Sequence, residues 1–272
     1  MSKNKLSLEE RKEYGMQVLD EIKRVCNLLD IKYYLAYGTL LGAIRHKGYI
    51  PWDDDIDIWI FREDYERFIR EFNNLCSPRF KLFSYENTEN YPYLMTKVIS
   101  TETSVREKFF KKTDYLGVWV DIFPLDYVSN ENTVAIPEMV KLEHRRWCAL
   151  FKQSTLIGKI KLFLYNLIQH DTTYHDFFVK PSFFTKQIQT MHSCTIPSEF
   201  VKSPTSEKSI RDLIYPATCF ENTIEVDFEN RKYCIPSGAK ELLTAVYGDY
   251  MQLPPIAKRK LDKHLVDVRK RD

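Results

Sequence analysis

The chain has no long apolar run, no clustered cysteine and almost no net charge, and each absence removes a class of function. No stretch approaches the roughly 18 uninterrupted apolar residues of a membrane-spanning helix, and the opening MSKNKLSLEERKEYG lacks the apolar core of a secretory signal. The cytoplasm is therefore the expected compartment, with the inner face of the membrane open to a peripheral contact. Cys26, Cys76, Cys148, Cys194, Cys219 and Cys234 form no CxxC pair and no Cys/His cluster at zinc-ligand spacing, so reduced, mostly buried thiols are expected. Forty basic residues nearly cancel 38 acidic ones, leaving +2. No global attraction to nucleic acid follows, and the basic residues make no continuous basic and aromatic stripe. Internal repeats and low-complexity segments are also missing.

What is present suffices for folding: 272 residues at 44% hydrophobic and 14% aromatic content can bury one sizeable core, or a core with a lesser helical lobe. Ser7 with Glu10 fits a capping box, and Leu8, Val18, Leu19, Ile22, Val25, Cys26 and Leu29 recur at helical spacing, so one amphipathic helix is expected over the first 30 residues. Tyr33 to Tyr37 reads as a short strand that Gly38 breaks, with a helix from Thr39 to His46. Asp55 to Ile60 alternates with period two, placing Asp55 and Asp57 on one face and Ile56, Ile58 and Ile60 on the other. A helix is expected from Glu63, burying Tyr65, Phe68, Ile69, Phe72 and Leu75. Segments 79–84, 94–100 and 103–110 are β-rich and suggest hairpins. Val118 to Phe123 is a second alternating strand, ended by Pro124, that carries Trp119, Asp121 and Phe123 on one face.

The pattern turns helical beyond residue 137, while 171–210 has weak periodicity and reads as an insertion or long loop. A β-rich stretch from Thr223 to Pro236 precedes a short helix from Lys240 to Tyr247, ended by Gly248. The expected class is α+β: a core over 1–136 with the N-terminal helix, and a mainly helical lobe over 137–272 containing the β-rich 223–236 segment.

The chemistry concentrates at Asp53, Asp54, Asp55 and Asp57, with nothing basic between Lys47 and Arg62 to neutralise them. A compensating cation is expected. Oxygen-only ligands suit Mg²⁺ or Mn²⁺, with Asp121 as third ligand from a neighbouring strand. Aspartates also cluster in solvated turns, an equal reading for Asp53 and Asp54 after Pro51 and Trp52, but Asp55 and Asp57 alternate with isoleucines in a strand, where aspartate is disfavoured. An EF-hand counted from Asp53 fails, with Ile58 where glycine is required and Asp64 where glutamate belongs. The Gly38-Thr39 turn opening a helix can hold a phosphate, or can be ordinary capping. Arg45, His46 and Lys47 are candidates for phosphate neutralisation or for a solvated helix end, and Lys97 is a further phosphate candidate.

The string YGTLLGAIRHKGYIPWDDDIDI at 37–58, continued in WVDIFPLD at 119–126 and YGDYMQLPP at 247–255, resembles the LicD family, which includes phosphocholine transferases and the fukutin-related proteins. The resemblance covers about 30–255. It implies a nucleotidyltransferase-type fold with a mixed sheet and flanking helices, whose Gly-Ser/Thr turn is Gly38-Thr39 and whose acids are Asp55, Asp57 and Asp121. It further implies transfer of phosphocholine from CDP-choline to a cell-surface glycan, namely teichoic acid, capsule or lipopolysaccharide. Ribitol phosphate, glycerol phosphate or true nucleotidyl transfer are the alternatives, and a non-catalytic scaffold is a rival of another class. Trp52 and Trp119 are the aromatics nearest the acids, available to cage a quaternary ammonium or simply to pack. The segment 144–168 and the tail Lys258 to Asp272, with seven basic and three acidic residues, can each touch an anionic membrane or face solvent.

Overall fold

The protein is described by a computed structural model covering residues 4–89, 91, 93–107, 116–129, 142, 145–146, 181–203, 214–260 and 265–271. Helix α1 (Leu8–Leu28) starts at the expected capping box, the Ser7 side chain accepting from Glu10 N–H while Glu10 accepts from Ser7 N–H. Strand β1 (Tyr33–Leu35) leads into helix α2 (Tyr37–His46), then β2 (Asp57–Phe61), α3 (Arg62–Leu75), β3 (Phe80–Phe83), β4 (Thr96–Ser100), β5 (Thr103–Glu107) and β6 (Trp119–Tyr127). After it come α4 (Pro181–His192), β7 (Phe200–Lys202), β8 (Ile214–Pro216), the hairpin β9 (Thr223–Phe228) and β10 (Arg231–Pro236), α5 (Ala239–Tyr247) and β11 (Leu265–Lys270).

A mixed seven-stranded sheet orders the first half as β1-β2-β6-β4-β3, with β7 joining β6 and β8 joining β7. Among the described residues only β2 and β6 run parallel; their register sets Asp57 opposite Asp121. Parallel pairing requires a covered sheet, and Ile58, Trp59, Ile60, Val120, Ile122 and Leu125 are all buried. Helices α1 and α3 touch each other and pack on the sheet, α1 on β4 and β6, α3 on β2, β3 and β6. The fold is thus α+β around one mixed sheet. Among the described residues no helix is long and apolar enough to cross a membrane.

Several expectations need correction. Tyr37 opens α2 instead of closing β1. It is held at φ +42, an unusual conformation for a bulky residue, by edge-to-face packing between Trp59 at 4.8 Å and Phe123 at 5.2 Å. Strand β2 begins at Asp57, so Asp55 precedes the ladder. Leu75, on the last turn of α3, is exposed. Pro124 does not end β6. Asp121 N–H donates to the Ile56 carbonyl on the β2 side, so alternation turns the Pro124 nitrogen to the other side, where β4 stops at Ile122 and β7 starts at Asp126. No ladder bond is lost there.

Strand β5 is not a hairpin partner of β4; it pairs with the C-terminal β11, which ties the end of the basic tail into a ladder while Arg269, Lys270 and Arg271 stay exposed. The stretch expected as a loop at 171–210 contains α4 and β7; the inner face of α4 pairs Phe184 and Ile188 with the buried polar Thr185 and Gln189, which weakens the apolar period. The helical expectation for 137–168 lies outside the described residues apart from Leu142, Arg145 and Arg146, and of these Arg146 is buried while the Arg145 guanidinium stacks 5.1 Å from the Phe184 ring.

A buried ion pair fastens the end of the sheet. Arg62 grips Asp126 with two bonds of 2.6 Å and donates to Gln189 Oε1 at 2.9 Å, tying α3, β6 and α4 together. Burial pushes the Asp126 carboxyl up while Arg62 pulls it down. Asp126→Ala should cost about 3–5 kcal/mol in denaturant-induced unfolding, because the guanidinium is left buried without its partner. Glu102→Ala, at the exposed Arg79–Glu102 pair, should cost less than about 1 kcal/mol in the same measurement.

Candidate active site

Asp57, Asp121 and Lys97 form a row across the three central strands, Asp57 paired with Asp121 on one side and Lys97 with Asp121 on the other. Both oxygens of Asp121 are held: Oδ1 accepts from Lys97 Nζ at 2.6 Å and Oδ2 from Trp119 Nε1 at 2.9 Å. Lys97 is 2% exposed and stands 4.0 Å from the Trp119 ring and 4.4 Å from the Tyr93 ring. It is an internal counter-ion to the acids, so its expected role as a direct phosphate contact gives way to that of a cation fixed inside the sheet. The Trp119 face is likewise taken by Lys97, which leaves that ring unsuited to cage an external ammonium.

The backbone around Asp57 is clamped from α2. Asp57 N–H donates to Thr39 Oγ1 at 2.8 Å, and its carbonyl accepts from Ala36 N–H at 2.9 Å. Thr39 is therefore engaged with the strand, and the expected phosphate contact at this turn falls to the backbone of the first turn of α2, which no side chain caps. Gly38 lets Asp53 come close there: a Cβ would stand 3.0 Å from Asp53 Oδ2, so the carboxylate would have to shift. The acidic loop is split. Asp54 turns toward Arg11 of α1, 3.7 Å away, and its side chain is nearly buried, so it is not a solvated turn residue. Asp53 is half-buried and its carboxyl is raised by burial, with Asp54 adding to the rise.

Compensating charge thus comes from Arg11 and Lys97, both remote in sequence, yet it is incomplete. The Asp57 carboxyl is pushed well above its ordinary value by burial and then by Asp55, Asp121 and Asp53, against which Lys97 pulls down. Among the described residues no three His, Cys, Asp or Glu side chains are closed around one point. Mg²⁺ binds through one or two carboxylates and completes its shell with water and substrate phosphates. Asp55 and Asp57 fit such an ion; Asp121 fits as third ligand only where Lys97 releases Oδ1.

Beside the acids lies a cleft of about 860 Å³ lined on one wall by Gly38, Leu41, Arg45, Trp52 and Asp53. The opposite wall comes from the end of α5 and the stretch after it, with Tyr247, Tyr250, Leu253, Ile256 and Arg259. Arg45 donates to the Tyr250 carbonyl at 2.7 Å and to His46 Nε2 at 3.0 Å, so His46 orients Arg45. Lys47 does not line the cleft: it is the exposed left-handed cap of α2, and its carbonyl accepts from Glu229 N–H. Trp52 meets the His46 ring edge-to-face at 6.2 Å and the Arg259 guanidinium over its ring at 5.6 Å. Arg259 and Tyr250 escaped the sequence reading of the site; Tyr250 was signalled only by the YGDYMQLPP string and Arg259 only as part of the basic tail.

The 30–156 segment matches the family model described as LicD/FKTN/FKRP, nucleotidyltransferase domain. Across 92% of the chain and 94% of the relative, the sequence is 30% identical to the lipopolysaccharide cholinephosphotransferase LicD of Haemophilus influenzae. The chain belongs to the LicD family of phosphotransferases. Other similarities are local: an uncharacterized Rickettsia typhi protein is 31% identical over 44% of this chain and 37% of its own length. The human ribitol 5-phosphate transferase FKRP is 53% identical over 34 residues, 12% of this chain and 7% of its own length.

Asp57→Asn separates charge from shape. The carboxyl's raised value means that the cation-free protein loses stability as pH rises from about 3.8 through the raised value, since only the folded state resists ionisation. Thermal unfolding of Asp57→Asn without divalent ions should be a few degrees higher than wild type at pH 8 and equal to it near pH 3, while LicD-type turnover falls at least about a hundredfold. A lower melting temperature at pH 8 would contradict the crowding of these acids.

Proposed function

We propose that this LicD family member transfers phosphocholine from CDP-choline to a cell-surface glycan precursor, with lipopolysaccharide the first choice of acceptor and teichoic acid or capsule behind it. The observation that carries the reading is the Asp57–Asp121 pair, with Asp53 of the same acidic run lining an arginine-flanked cleft, in a chain similar over nearly its whole length to a lipopolysaccharide cholinephosphotransferase. The core is read as the nucleotidyltransferase type, in keeping with the description of the matched family model.

In the proposed reaction an acceptor hydroxyl attacks the phosphorus that bears choline, the bond to the CMP oxygen breaks with its electron pair leaving on CMP, and the hydroxyl proton passes to a carboxylate. A divalent cation, Mg²⁺ or Mn²⁺, bound by Asp55 and Asp57 with Asp121 as third ligand would neutralise the donor diphosphate and the leaving nucleotide. Arg45 and Arg259 flank the cleft as fixed positive charges for the diphosphate. The N-terminal turn of α2 offers backbone donors to the same group. Asp121 has both oxygens engaged, by Lys97 and by Trp119, so it takes up the hydroxyl proton only where one of those donors moves away.

Ribitol phosphate is the second reading, favoured by the 34-residue match to the ribitol 5-phosphate transferase FKRP. Product analysis separates the readings. With Mg²⁺, lipopolysaccharide and CDP-choline, CDP-ribitol or CDP-glycerol in turn, CMP release with phosphocholine appearing on the glycan is the expected result. Turnover confined to CDP-ribitol would move the assignment to that cargo. Pyrophosphate release from a nucleoside triphosphate, with the nucleotide left on the acceptor, would replace it with nucleotidyl transfer.

A further inference from the structure

The wall of the cleft formed after α5 carries an unusual surface. Of the eleven exposed large apolar side chains among the described residues, four fall within 247–256: Tyr247, Met251, Leu253 and Ile256. Ile256 is 80% exposed, Met251 56% and Leu253 44%. Scattered single apolar residues are ordinary on a surface; several on one loop call for a partner. Lys258 and Lys260 follow at once, and both are exposed. Asp249 is the one acid between Tyr247 and Lys260.

The loop's backbone is fixed. Gln252 N–H donates to the Asp249 carbonyl, Lys258 N–H to Pro255 and Arg259 N–H to Ile256, at 3.1, 2.8 and 3.0 Å. Arg259 Nε caps the Pro254 carbonyl at 2.8 Å and Arg45 Nη1 the Tyr250 carbonyl at 2.7 Å. Two arginines with the turns of residues 248–260 thus hold up apolar side chains that no described residue buries, so little ordering is left to do on binding. Apolar side chains set beside lysines match the boundary of a bilayer whose headgroups are anionic, where apolar groups enter the acyl region and ammonium groups stay at the phosphates.

We infer that residues 251–260 are a docking surface for an anionic phospholipid bilayer, which brings the mouth of the cleft to the membrane surface. This goes beyond the transfer reading and does not depend on it, since the contact needs neither donor nor acceptor. A second copy of the chain meeting the same patch is the competing occupant; the two lysines disfavour it, because self-association would bring like charges together.

The full-length protein is sedimented with vesicles of phosphatidylcholine alone and of phosphatidylcholine with phosphatidylglycerol at 0.15 M salt. Binding is expected to the anionic vesicles and to weaken at 1 M salt. Met251→Ser with Ile256→Ser should weaken it about tenfold, and Lys258→Glu with Lys260→Glu at least about tenfold, with unchanged far-ultraviolet circular dichroism for both exposed double variants. Binding that is absent, that ignores lipid charge, or that survives both double variants would overturn the inference. So would a dimer in size-exclusion chromatography that the Met251→Ser, Ile256→Ser variant dissolves. CMP release from a CDP-linked donor in vesicle-free solution reports separately on the transfer reading.

Discussion

The structure depends on one pairing: two parallel strands, β2 and β6, placed so that Asp57 faces Asp121. Like charges held side by side in a covered sheet repel, and the surrounding protein is arranged to contain that repulsion. Lys97 reaches in from the antiparallel neighbour β4 and Trp119 donates its indole N–H to the same carboxylate. Arg11 draws Asp54 away toward α1. What remains is the crowding of acids around Asp57, which Lys97 offsets only in part.

Much of the framework serves to hold this row still. Thr39 and Ala36 clamp both backbone groups of Asp57 from the β1–α2 turn, and the strained Tyr37 makes that turn abrupt enough to bring Gly38 against Asp53. At the far end of the same strands, the buried Arg62–Asp126 pair fixes where α3 leaves β2 and where β6 meets β7. The hairpin of β9 and β10 steadies the approach to the acidic loop, as Glu229 accepts from Tyr49 N–H at 3.0 Å while its own N–H donates to the Lys47 carbonyl. Its tight turn is made by Glu229 and Asn230, both at positive φ.

Short-range periodicity in the sequence was a good guide where an element is buried on one face, as in α1 and α3, and where the acids alternate with isoleucines. It failed where the deciding contact is remote. Nothing near residues 53–57 announces Arg11 or Lys97, so the acidic run looked uncompensated. Pro124 looked like a strand end because the gap between β4 and β7 that accommodates it is a property of the sheet, and β11 was invisible because its partner β5 lies some 160 residues earlier. The second wall of the cleft was legible only as the YGDYMQLPP string; its geometry depends on Arg45 and Arg259 gripping backbone carbonyls.

The central claim is that the residual charge at Asp55 and Asp57 holds a divalent cation for phosphoryl transfer. The most direct test is a crystal structure grown with Mn²⁺ and CDP, with the metal located by anomalous scattering. A peak bonded to Asp55 and Asp57 oxygens and to the diphosphate, with the nucleotide in the cleft beside Arg45 and Arg259, is the predicted result. Density for CDP in the cleft with no metal at these carboxylates, or a metal bound elsewhere, would contradict it.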